Sequence, residues 1–103
     1  MTVTLNYSRV HRVFIDVAKV WPSLEAFDVR LLVALYEVGG SAREVDLRDD
    51  MQVPVEAIQR STRKLRASGY VERHGNAPSP ITARLLLGQV VAEQALAAIR
   101  GEA

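Results

Sequence analysis

The chain has 103 residues, 49% of them hydrophobic, which suffices for one compact core without covalent staples. It contains no cysteine, so disulfide frameworks, thiolate metal sites and thiol redox switches are excluded, and a cytoplasmic setting is the expectation. The net charge of +1, from 13 Lys and Arg against 12 Asp and Glu, offers nucleic acid little if spread evenly; phosphate binding would depend on how the cations are placed.

Residues 1–7 (MTVTLNY) lack the charged and then apolar regions of an export signal. From there Val10, Val13, Phe14, Val17, Val20 and Trp21 recur at helical spacing, which predicts a helix over residues 8–22 capped by Ser8 and ended by Pro22. Ser23 is the expected cap of a second helix, in which Leu24, Phe27, Leu31, Leu32, Leu35 and Val38 form an apolar stripe and Gly39-Gly40 is the stop. A shorter helix is expected over residues 41–51, with Val45, Leu47 and Met51 inward and Glu44, Asp46, Asp49 and Asp50 on its outer face.

After Gln52-Val53, Pro54 suits a first helical position, and Val55, Ile58, Thr62 and Leu65 mark the buried side of a helix over residues 54–68 that Gly69 ends. Residues 70–73 (YVER) have strand composition, Gly75-Asn76 is a turn signal, and Pro78 and Pro80 make the returning segment a short or irregular edge strand. Thr82 is then the expected cap of a last helix, residues 82–100, whose apolar residues include Leu85, Leu86, Leu87, Val90, Val91, Ala95, Leu96 and Ile99. Arg84, Gln89, Glu93 and Gln94 interrupt that arc, so it is not read as a membrane span, and no membrane partner is expected.

No repeat or linker divides the pieces, and the order of helix, helix, helix, helix, hairpin, helix describes a single domain, residues 1–103, that is mainly α. Two short helices joined by a tight turn, then glycine and a hairpin, make a helix-turn-helix with a wing over residues 41–82. With Ile58, Thr62 and Leu65 inward, Gln59, Arg60 and Arg63 share an exposed surface, where arginine can pair with guanine and glutamine with adenine. Lys64 and Arg66 flank it and suit phosphates, and Arg73 continues the basic side onto the following strand. The expected DNA-binding set is therefore Gln59, Arg60, Arg63, Lys64, Arg66 and Arg73.

Residues 24–40 (LEAFDVRLLVALYEVGG), 47–51 (LRDDM) and 58–73 (IQRSTRKLRASGYVER) together resemble the MarR family of bacterial transcriptional regulators. The phrase KLRASGYVER, residues 64–73, is the most specific part, although the sister ArsR-like winged helices share its grammar. The resemblance implies a winged helix-turn-helix with a short β-hairpin wing, N- and C-terminal dimerisation helices (residues 8–22 and 82–100), and a cytoplasmic homodimeric repressor. Its partner would be double-stranded DNA, read by one recognition helix per half-site. It also implies a small aromatic effector held near Phe14, Trp21, Tyr36 and Arg9 or Arg12. The sequence departs from the family in the wing tip, where residues 75–80 (GNAPSP) carry neither the usual acid nor the usual arginine, and in the turn, where Gln52 and Pro54 replace the usual glycine and hydroxyl cap.

Nothing in the sequence points to an enzyme, a cofactor or a metal. His11 and His74 are far apart without cysteines, Asp49 and Asp50 diverge as helical neighbours, and no phosphate-cradling glycine loop or nucleophile motif is present. Trp21 and Tyr36 read as core or interface anchors. Two other readings stay open at this level: a winged-helix protein-interaction module, such as an accessory or viral regulator with a reduced wing, and an architectural protein that coats DNA with little sequence preference.

Overall fold

In the computed structural model the described residues are 2–74 and 82–101, with side chains described for 9–73 and 83–101. Helix α1 (Thr2–Val20) turns Phe14 and Ala18 into the core and His11, Arg12, Asp16 and Lys19 to solvent. It starts well before Ser8, which is an interior helical residue and not a cap; no glycine or proline between Thr2 and Ser8 stops the helix from extending. Pro22 ends it as expected.

Ser23 does not cap the next helix either: it adopts φ 68° in the connection. Capping passes to Glu25, whose backbone N–H donates to Asp28 Oδ2 at 2.8 Å, the carboxylate half of a capping box. Helix α2 (Ala26–Glu37) is the centre of the molecule, with Val29, Leu31, Leu32 and Leu35 fully buried and contacts to most other elements. Gly39 and Gly40 follow at φ +105° and +91°, and the Gly40 N–H closes the helix end on the Leu35 carbonyl at 2.9 Å.

The helix expected from Ser41 begins later. Ser41–Arg43 form a short strand, β1, and α3 runs over Glu44–Met51. Leu47 and Met51 are buried as expected, but the two residues at the helix start exchange roles: Glu44 is buried and Val45 exposed. Glu44, Leu47 and Met51 are spaced i, i+3 and i+7 and so share the buried face, from which Val45 is turned away. Gln52 then takes the left-handed conformation (φ 58°, ψ 48°) that closes α3, and its side chain donates to the Asp49 carbonyl at 2.7 Å. Pro54 is the N-cap of α4 (Val55–Ala67), one residue outside the position expected for it.

Strands β2 (Val71–His74) and β3 (Thr82–Leu85) pair antiparallel, with Val71 opposite Leu85 and His74 opposite Thr82. β3 also pairs with β1, giving the order β1-β3-β2. β3 is therefore the central strand, and Thr82 begins a strand instead of capping a helix. The segment holding Pro78 and Pro80 lies outside the described residues, as does the Gly75-Asn76 turn. Helix α5 (Gly88–Ile99) starts after Leu85, Leu86 and Leu87, which were expected inside it.

Gly88 explains why α5 begins where it does. A Cβ there would lie 2.8 Å from the Tyr70 carbonyl oxygen and 2.5 Å from Leu32 Cδ2. That same carbonyl accepts the N–H groups of Leu86 (3.0 Å) and Gly88 (2.9 Å), so the backbone cannot retreat without breaking two hydrogen bonds. Gly88→Ala is expected to lower stability by about 1–3 kcal/mol, as overpacking does in a tight core. Denaturant unfolding checks it: a midpoint equal to the parent's would show that the junction yields freely.

Candidate nucleic-acid interface

α4 is seated by one face. Ile58, Thr62 and Leu65 are fully buried, and the Thr62 hydroxyl is satisfied within the helix by donating to the Ile58 carbonyl at 2.8 Å. This leaves Gln59, Arg60, Arg63 and Arg66 exposed. Residues 59 and 63 are four apart and 60 and 63 three apart, so their side chains are neighbours on the helix surface. Among the described residues no ion pair engages Arg60, Arg63 or Arg66, whose donors remain open to a ligand. Gly69 at φ +81° ends α4 abruptly, and the Tyr70 N–H returns to the Leu65 carbonyl at 2.9 Å, so the chain passes directly into β2.

The other two cations expected at DNA are paired with acids of the fold. Lys64 Nζ lies 3.0 Å from Glu25 Oε1 and 2.6 Å from Asp28 Oδ2. Partial burial works against its ammonium, but the hydrogen bonds to Asp28 and Glu25 outweigh it and hold the Lys64 pKa above the ordinary lysine value. Arg73 is largely buried, with Nη2 3.7 Å from Glu44 Oε1. Two further atoms of that pair, Glu44 Oε2 and Arg73 Nε, are buried with no hydrogen-bond partner among the described residues.

This assembly of helix, tight turn, exposed second helix and antiparallel strands is similar in fold to several solved structures. Reduced MarR from E. coli superposes with a TM-score of 0.78 at 19% identity, covering 98% of this chain and 74% of that one. The chain has a MarR-type winged-helix fold. A mutant E. coli MarR complexed with operator DNA gives 0.69 at 18% identity, with 98% and 76% covered. YusO from Bacillus subtilis gives 0.71 at 16% identity, with 97% and 72% covered. No family model matches the sequence, and no curated protein does.

Within the MarR-type fold the residues expected near an effector are joined to α5. Trp21 Nε1 donates to Gln94 Oε1 at 2.9 Å, Arg9 Nη2 to the Ala98 carbonyl at 3.3 Å and Tyr36 Oη to Glu93 Oε2 at 3.2 Å. The last bond holds the Tyr36 phenol above its ordinary pKa, with the Glu93 charge adding to it. Phe14 faces a separate hollow with Val10, His11 and Arg30, and Arg12 is exposed. Trp21 also meets Tyr70 edge to face, ring centroids 6.2 Å apart, and the Tyr70 hydroxyl donates to the Pro22 carbonyl at 3.0 Å. The end of α1 is thereby fixed to the residue that leads from α4 into β2.

Sequence reasoning did not find Asp28, Ser61 or Glu44. Glu44 was expected on an outer face and Asp28 was not singled out, yet they are 5% and 2% exposed and are the partners of Arg73 and Lys64. A cluster of three or more metal-ligating side chains does not occur among the described residues, and none of their helices is long and apolar enough to cross a membrane.

Proposed function

We propose that the chain is a sequence-selective duplex-DNA-binding transcriptional regulator, not an enzyme, and that it represses by occupying its operator as a homodimer. The observation that carries this reading is the face of α4 on which Gln59, Arg60 and Arg63 stand exposed, the two arginines free of acidic partners among the described residues. In a helix-turn-helix the second helix enters the major groove. There arginine donates two bonds to guanine O6 and N7 and glutamine pairs with adenine, while Arg66, a turn further on, meets phosphate. The MarR-type fold supports the reading, since one neighbour with that fold is held on operator DNA.

Residues 1–103 act as one unit in this reading. α1 and α5, which pack on each other and on α2, also supply the contact with a second copy. Leu86, Leu87 and Val90 remain exposed at the start of α5, and Val20 is exposed beside Trp21, whose partner Gln94 lies one turn beyond Val90. Together they form an apolar surface of the kind that marks an interface.

Selection from a random duplex library is the direct test. It is expected to return a two-fold-related pair of half-sites about one helical turn apart. Binding should weaken with salt, log K against log salt falling by about 0.9 for each phosphate neutralised. Equal affinity for all duplexes would assign a coating protein instead, and no binding at moderate salt would end the DNA reading altogether.

A further inference from the structure

We propose that Asp28 is the positioning residue of α4: its buried carboxylate captures Lys64 and Ser61, so that Lys64 is an internal tether and not a phosphate contact. The inference rests on the DNA-reading role proposed above for α4, and deepens it.

The Asp28 carboxylate is occupied on both oxygens. Oδ1 accepts the Ser61 hydroxyl at 2.6 Å, while Oδ2 accepts the Glu25 N–H at 2.8 Å and the Lys64 ammonium at 2.6 Å. Ser61 and Lys64 are three residues apart on α4 and lie beside the reading residues: Ser61 follows Arg60, and Lys64 follows Arg63. Ser61 is 5% exposed, so its bond to the carboxylate is sheltered from water and costly to leave unmade.

The tether matters because close packing does not reach this side of α4. A hollow of about 320 Å³ lies between the start of α2 and α4, lined by Glu25, Phe27, Asp28, Ala57, Arg60, Ser61 and Lys64. Ile58, Thr62 and Leu65 anchor α4 along one line, and roll about that line is resisted across the hollow by the Asp28 bonds. At the outer radius of a helix a roll of about 15° moves a side-chain tip by roughly 1.5 Å. That is outside the tolerance of a bidentate contact, so loss of the tether removes selectivity before it removes general affinity.

The test compares Lys64→Met, Ser61→Ala and Asp28→Asn on a duplex selected by the parent and on a scrambled duplex. The expected result is a fall of about fivefold or more in the ratio of the two affinities for Lys64→Met, with the salt slope unchanged. Combining it with Asp28→Asn should cost less than the sum of the two separate losses, because both break the Lys64–Asp28 pair. If Lys64→Met instead weakens both duplexes equally and lowers the salt slope by about 0.9, Lys64 meets a phosphate and the proposal is overturned. Selective binding by the parent with an unchanged ratio in all three variants also overturns it, leaving the regulator reading intact.

A second arm needs no DNA. Lys19 and Lys64 are the only lysines, so both can be followed by NMR in protein carrying ¹³C-labelled lysine. Lys64 is expected to titrate above the ordinary lysine value in the parent and to move down in Asp28→Asn; a Lys64 titration identical in the two proteins would refute the tether. Should the parent select no duplex, the regulator reading falls, and this arm still decides whether Asp28 holds Lys64.

Discussion

Replacing Arg60 or Arg63 by alanine is expected to cost about 1–3 kcal/mol at a selected duplex, roughly fivefold to more than a hundredfold per protomer, with folding stability unchanged. Both side chains are exposed, and neither has an acidic partner among the described residues, so truncation removes no interaction that supports the fold. Each guanidinium presents a planar fork that reads O6 and N7 of one guanine together, and lysine cannot reproduce it. Arg60→Lys and Arg63→Lys should therefore keep much of the affinity for random duplex while losing preference at a defined base position. Arg66→Ala should weaken all duplexes evenly. The measurement is a set of binding isotherms on the selected site and its single-base variants. If Arg60→Ala and Arg63→Ala bind the selected site as the parent does, the reading face lies elsewhere on the molecule.

The exposed face was legible because α4 has a short, regular period. Ile58, Thr62 and Leu65 fix which side is buried, and helix geometry then fixes where Gln59, Arg60 and Arg63 must stand. The stops at Gly39-Gly40 and Gly69 were legible for a similar reason: each marks a positive-φ residue that other side chains adopt at a cost. What these features share is that the deciding interaction lies within a few residues along the chain.

The features that escaped all depend on contacts distant in sequence. β1 is three residues long, too short to show alternation, and becomes a strand because Ala42 pairs with Ala83. Leu85, Leu86 and Leu87 carry helix-compatible chemistry, but strand pairing of Leu85 with Val71 and the close approach of Gly88 to Tyr70 delay the helix. Asp28 and Glu44 obey the preference of acids for helix starts, and nothing local distinguishes them from solvated caps. Only the arrival of Ser61 and Lys64 beside one and Arg73 beside the other makes them buried partners. For the same reason two of the expected DNA-facing cations, Lys64 and Arg73, could not be told from Arg60 and Arg63 by composition or spacing.

The largest effect expected on operator binding comes from a residue that touches no DNA. Val90 is 43% and Leu87 46% exposed at the start of α5, and both belong to the surface assigned above to a second copy of the chain. Placing glutamate at either position would bury a carboxylate in an apolar contact, a cost that neutralisation or separation of the subunits must relieve. In the proposed homodimer each half of a two-fold operator would be bound by one helix, and linking the halves through the dimer multiplies affinity by an effective concentration instead of adding contacts. Val90→Glu and Leu87→Glu are thus expected to halve the mass in solution and to weaken operator binding by about 10²–10⁴-fold, while binding to an isolated half-site stays at the parent's level. A parent already monomeric at micromolar concentration, or variants that remain dimers, would remove this surface from the interface. The dependence is expected to be steep because α4 carries the proposed reading residues and residues 75–80 (GNAPSP) contain no cation to add to them. One helix per protomer supplies modest affinity, and two held at fixed spacing convert it into occupancy of a single site among many competing sequences.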